Sequence, residues 1–209
     1  MSLYAVIPAK ATSLGKSRLA PLLDPAARAA LNLALARRTL EVCAESFGAG
    51  RIVVVSGSAE IGALALAAGA HVLDEPLAAP APHESLNAAV RAGIALARQL
   101  GASGAVIVPT DLPLLSAGAL ASALAFLPAS PGCVLVGDRR ASGTNLLAMQ
   151  PADPRLPAFG EDSLRRHAQR ARVLGYQTRL HRCERLGLDL DLPEDFRDLE
   201  SRCGVMLAA

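Results

Sequence analysis

Two lysines and an arginine stand in one short segment near the start of the chain, Pro8-Ala9-Lys10 and then Lys16-Ser17-Arg18. Cations gathered after a strand-like run can neutralise a polyphosphate. The choice of lysine is pointed, because 19 of the 21 basic residues are arginine and the only two lysines are these. An ammonium is a compact point charge that follows a phosphate, whereas a guanidinium presents a rigid planar fork. The segment is not a Walker A loop, since it holds one glycine, Gly15, and it carries no GxGxxG fingerprint. It suits the triphosphate tail of a nucleotide.

A carboxylate follows a second strand-like run, in Val108-Pro109-Thr110-Asp111-Leu112-Pro113. Flanking prolines fix the backbone there, and Asp111 is placed to bind Mg²⁺, which takes one or two carboxylates and completes its shell with phosphate oxygens and water. The plainer reading is an aspartate bonding to its own turn. Near the end, Asp189 and Asp191 alternate with leucines and so share one face of an extended segment, where either could complete a metal site with Asp111. Pro193 marks a helix start, which makes Glu194 and Asp195 first-turn partners of the helix dipole.

A third group comprises Gly143-Thr144-Asn145 and the run from Phe159 to His167. Gly160 lets backbone approach a ligand, and Ser163 opens a helix whose free amides and dipole favour an anion. His167, four residues on, shares a helix face with Ser163. A simple cap at Ser163 and a core histidine at 167 are the ordinary alternatives.

These positions need a scaffold that brings strand ends together. Apolar runs at 4–8, 51–55, 71–74, 105–108, 133–136, 144–149 and 177–181 read as strands. Stretches at 24–47, 59–68, 84–100, 116–127 and 162–174, with a last one from Pro193, read as helices. Residues 76–82, rich in Pro and Ala, read as a loop over the site. This alternation predicts an α/β fold, a mostly parallel sheet with helices on both faces, in one domain over 1–209. Ligands of such sheets bind outside the carboxyl ends of the strands.

Composition narrows the partners. Alanine fills 42 of 209 positions, aromatics are 3%, Trp is absent and the formal charge is +2. That excludes aromatic platforms for single-stranded nucleic acid and a basic duplex-binding face. Cys43, Cys133, Cys183 and Cys203 form no CxxC pair and read as small apolar side chains or free thiols. With no leader-like start and no long apolar run, a cytoplasmic location is expected.

Taken together, PAKATSLGKSRLAPLL, VPTDLPLL, GTNLL, FGEDSLRRH and LDLDLPEDF occur in the order seen in the 2-phospho-L-lactate guanylyltransferase family, and the chain resembles it from about residue 3 to 199. The resemblance implies a Rossmann-like nucleotidyltransferase fold of the GT-A kind. It also implies transfer of GMP from GTP to 2-phospho-L-lactate, phosphoenolpyruvate or 3-phospho-D-glycerate, with release of pyrophosphate, in coenzyme F-420 biosynthesis. By that resemblance Asp111 and Asp189 are the Mg²⁺ ligands, with Asp191 the other candidate. Thr144, Gly160 and Ser163 contact the acceptor's phosphate. Asn87, in Ser85-Leu86-Asn87, belongs to the nucleotide side, and Lys10, Lys16 and Arg18 hold the leaving pyrophosphate.

The implied partners are GTP and a small phosphorylated acid, without nucleic acid or membrane, and a homodimer is compatible with the reading. Two features depart from the family pattern. Leu192 replaces a threonine that would cap the helix at Pro193, so a looser end is expected there. Glu161 and Asp162 add negative charge beside the phosphate site and are expected to face solvent. Two other readings are a molybdenum-cofactor-type nucleotidyltransferase, which carries a glycine-rich first loop, and a non-catalytic nucleotide-binding module of the same fold.

Overall fold

The computed structural model describes residues 2–10, 16–76 and 82–203. Residues 77–81, which carry most of the expected loop over the site, lie outside them, as do 11–15 of the lysine segment.

Among the described residues seven strands form one sheet: β1 (Leu3–Pro8), β2 (Ile52–Val55), β3 (His71–Leu73), β4 (Gly104–Ile107), β5 (Gly132–Gly137), β6 (Thr144–Gln150) and β7 (Gln177–Leu180). Their spatial order is β3-β2-β1-β4-β6-β5-β7. All neighbours run parallel except β6, which is antiparallel to both β4 and β5. The helices are α1 (Pro25–Phe47), α2 (Ala59–Ala67), α3 (Pro82–Gln99), α4 (Ala117–Leu124), α5 (Ser163–Val173), α6 (Glu184–Gly187) and α7 (Pro193–Cys203). The short α6 was not expected from the sequence. Its four residues are too few to show helical periodicity.

Strand alternation sorts the core into two layers. Ala5, Ile7, Ile52, Val54, Val106 and Val134 pack with α1, α2 and α4, while Val6, Val53, Val55, Ile107 and Leu135 pack with α3 and α5. Both faces of the central strands are thereby buried, which explains their continuous apolar runs. A third cluster joins Leu188, Leu190, Phe196 and Leu199 to Leu19 and Leu35, seating α7 against the segment that follows Lys16.

The β5–β6 pair carries one irregularity. Val136 pairs with Leu146 but Gly137 pairs with Thr144, so Asn145 is an extra residue. Such a bulge re-aims the residues on either side of it.

Candidate functional site

From β1 the chain builds outward to β2 and β3, then crosses back to lay β4 on the other side of β1. The exits of β1 and β4 therefore open side by side at the point where strand order reverses, where such sheets form a crevice. A cavity of about 400 Å³ lies there, and its walls include Lys10, Lys16, Arg18, Asp111 and Asp191. The two lysines and the two acidic residues are thus brought together from three distant parts of the sequence.

Lys16 has left-handed backbone, φ 59° and ψ 31°, and precedes a 3-10 turn over Ser17–Leu19 that the buried Leu19 anchors. Its side chain is 7% exposed and its Nζ donates to Asp191 Oδ1 at 3.1 Å. Lys10 and Arg18 are exposed.

Asp111 stands in the opposite situation. Its Oδ1 is buried without a hydrogen-bond partner among the described residues. Burial pushes its carboxyl up to about 6; Lys16 works against that rise, and the negative charges of Asp191 and Asp189 add to it. The Leu190 N–H donates to the Asp111 carbonyl at 2.9 Å, pinning the 189–191 stretch against the exit of β4. Asp189 accepts from Asn145 Nδ2 at 3.4 Å, and its pKa is raised, mainly by burial.

Among the described residues no three His, Cys, Asp or Glu side chains form a group able to enclose a metal ion. The donor set nonetheless fits a magnesium ion shared with a ligand. It offers hard carboxylate oxygens, one of them orphaned, and leaves the remaining positions to phosphate and water.

Asn87 receives a different task from the one expected. Its Oδ1 accepts from the Phe159 N–H at 2.8 Å, while Nδ2 donates to the carbonyls of Phe159 (2.9 Å) and His83 (2.7 Å). An amide engaged on three sides holds backbone, not a nucleotide, and here it fixes the residue before Gly160. It is the neighbouring Leu86 that lines the cavity.

Thr144, Ser163 and His167 form a buried cluster with residual exposures of 7%, 3% and 0%. Ser163 Oγ lies 3.2 Å from Thr144 Oγ1, which lies 3.0 Å from His167 Nδ1. The Ala158 N–H donates to His167 Nε2 at 2.8 Å. Phe159 meets the imidazole edge-on, with ring centroids 4.7 Å apart. Burial foremost, then the cations Arg170 and Arg166, push the His167 pKa down to about 4.

Gly160 has φ 128°, and a Cβ there would come within 3.1 Å of Arg166 Nη1 and 3.2 Å of His83 Cβ. Glu161 and Asp162 are exposed, and Asp162 pairs with Arg165 at 3.4 Å. The expectation of free amides at the start of α5 needs correction. The Ser163 N–H donates to the Gly160 carbonyl at 3.1 Å and the Leu164 N–H to the Ser142 carbonyl at 3.0 Å.

Leu192 does not leave its helix uncapped. Asp195 Oδ2 accepts from the N–H groups of Asp191 (3.0 Å) and Leu192 (2.6 Å), as the reciprocal residue of a capping box does. Asp195 stands in the first turn of α7 as expected, and being 1% exposed and ion-paired with Arg139 it is a buried strut as well. Glu194 is exposed and pairs with Arg140 at 3.1 Å.

Asn145, placed in the third group without a role of its own, receives one here. Its Nδ2 donates to the Leu186 carbonyl at 3.0 Å as well as to Asp189. Its place beside Thr144 was the available signal.

The family described as "Guanylyl transferase CofC like" matches residues 3–201 of this chain. A phosphoenolpyruvate guanylyltransferase of Rubrobacter xylanophilus is 35% identical over 207 residues, 98% of this chain and 97% of that protein. A 3-phospho-D-glycerate guanylyltransferase of Phenylobacterium zucineum is 40% identical over 184 residues, 86% of this chain and 81% of that one. Among solved structures, a nucleotidyl transferase from Methanothermobacter thermautotroptrophicus superposes with a TM-score of 0.62 at 16% identity, covering 96% of each chain, which bears on the fold alone.

Proposed function

The chain belongs to the CofC-like guanylyl transferase family, and from that premise we propose that it joins GMP from GTP to a phosphorylated three-carbon acid, in coenzyme F-420 biosynthesis. The observation that carries the reading is the single cavity in which Lys10, Lys16 and Arg18 face Asp111 and Asp191. Cations for a triphosphate and carboxylates for its counter-ion are the two requirements of nucleotidyl transfer.

A phosphate oxygen of the acid attacks the α-phosphorus of GTP. The bond from that phosphorus to the oxygen bridging the β-phosphate breaks, a phosphoanhydride forms and pyrophosphate leaves. An ionised phosphate is already nucleophilic, so the protein needs no general base and contributes positioning and charge stabilisation. Lys10, Lys16 and Arg18 hold the triphosphate and neutralise the departing pyrophosphate. Thr144, Gly160 and Ser163 receive the acid's phosphate. Asp111, with Asp189 or Asp191, would hold Mg²⁺, which when bound supplies positive charge to the reacting phosphates.

Relatives of comparable identity are named for different acids, so overall identity does not choose among acceptors. Incubation with GTP, Mg²⁺ and, separately, phosphoenolpyruvate, 2-phospho-L-lactate and 3-phospho-D-glycerate, with mass spectrometry of the product, tests the reading. A guanylylated product from one acid is expected, and pyrophosphate release from none of the three overturns it.

A further inference from the structure

The Thr144–Ser163–His167 cluster can be resolved hydrogen by hydrogen. The Ala158 N–H can only donate, so His167 Nε2, 2.8 Å away, must accept and carries no proton. A neutral imidazole then has its hydrogen on Nδ1, the nitrogen facing Thr144 Oγ1 at 3.0 Å. Burial and the neighbouring arginines keep the ring neutral, and the Ser163 carbonyl, which can only accept, is also directed at it.

Nδ1 therefore cannot take up a hydroxyl hydrogen. Thr144 and Ser163 own two such hydrogens, and the bond between their oxygens uses one. Whichever hydroxyl donates in that bond, the other hydrogen meets no protein acceptor among the described residues, although both side chains are more than nine-tenths buried. A buried donor without an acceptor is costly unless a ligand supplies one.

We propose that His167 is a positioning residue: its ring, anchored by the Ala158 amide, closes the inner side of the Thr144–Ser163 pair and leaves one hydroxyl hydrogen to bind the phosphate of the acceptor acid. The inference rests on the function proposed above and deepens it. A ring with the opposite polarity would absorb that hydrogen and present lone pairs to an anion. The cluster is thus set to receive an ionised phosphate oxygen.

Two substitutions separate this role from simple packing. Asn places an amide N–H where Nδ1 stands, whereas Gln reaches Nε2 and can accept from Ala158 but offers Thr144 no donor. In H167Q the KM for the acid rises on the order of ten- to a hundredfold, as for loss of a hydrogen bond to a charged group, while the KM for GTP stays within about twofold. H167N recovers most of the acid affinity even where its melting temperature is lower. The ¹⁵N spectrum of histidine-labelled wild-type protein at pH 7 shows His167 protonated at Nδ1. A ring protonated at Nε2 overturns the inference, as do equal acid KM increases in H167N and H167Q. An unchanged acid KM in H167Q, with pyrophosphate release intact, overturns it while leaving the guanylyltransferase reading in place. Absence of release by the wild-type protein with all three acids overturns that reading and the inference with it.

Discussion

Lys16 and Asp191, 175 positions apart, meet at 3.1 Å on one wall of the cavity, and the lysine is the more enclosed of the two. The contact ties the cationic segment after β1 to the acidic segment before α7. A phosphate entering the cavity meets an ammonium already aimed and already held.

Lys16→Ala should raise the KM for GTP by roughly tenfold or more, the loss expected for a charge-assisted contact of about 1.5–3 kcal/mol. Lys10→Ala, at an exposed position, should act in the same direction. Steady-state pyrophosphate release against GTP concentration checks both. Unchanged GTP kinetics in the two variants removes the triphosphate assignment.

Asp111→Asn should abolish turnover and raise stability by about 1–3 kcal/mol at neutral pH, because it replaces a carboxylate that burial pushes up to about 6 with an uncharged amide. Thermal melts beside activity at saturating Mg²⁺ measure both halves. A stable variant with near-normal turnover sinks the metal-ligand role. Asp189→Asn and Asp191→Asn, assayed the same way, decide which of the two accompanies Asp111.

His167 sets the acid limb of the stability curve. Its pKa falls on folding from 6.5 to about 4, so between those values the unfolded chain binds a proton that the native state refuses. Stability is fully present above pH 6.5 and is lost as pH falls towards 4, by on the order of 3 kcal/mol. Urea midpoints across pH 4–7.5 should show this loss in the wild-type protein. In H167N the same limb should be shallower.

Ser163→Ala should raise the KM for the acid more than that for GTP. Gly160→Val should be worse on both affinity and stability, since φ 128° and the 3.1 Å and 3.2 Å approaches of Arg166 and His83 leave no place for a side chain. Bound acid seen against Lys10 and Lys16, with Ser163 out of contact, would reassign the phosphate site.

Asp195→Ala should cost on the order of 1–3 kcal/mol, because it uncaps the amides of Asp191 and Leu192 and leaves the half-buried Arg139 with Asp198 alone. Chemical denaturation gives the value. A change below about 1 kcal/mol would show that the capping contacts carry little.

Much of this was legible before any coordinates. Apolar runs ended in chemistry-bearing residues at Pro8-Ala9-Lys10 and Pro109-Thr110-Asp111, and strand topology did the rest. What could not be read were directions. Nothing local tells whether Asn87 turns to a nucleotide or to the Phe159 backbone, because both are hydrogen-bonding partners and the second lies 72 residues away. Asp195 reads as a first-turn acid, but nothing local gives its burial or its arginine partner, which comes from the β5–β6 turn. Simple alternation along β6 would have set Thr144 in one layer with Leu146 and Ala148, against α1 and α4. The bulge reverses it, so that Thr144 meets α5 and Asn145 meets α6 and Asp189.

That extra residue lets the strand entrance serve both faces of the sheet, Thr144 on one and Asn145 on the other. Deleting Asn145 would restore plain alternation with Thr144 still opposite Gly137 and still facing Ser163 and His167, while removing the amide that reaches Asp189 and the Leu186 carbonyl. Insertions and deletions are ordinarily absorbed at hairpin turns. Here the residue next to Thr144 can be lost without turning Thr144 from α5, but not without releasing Asp189 from its amide partner.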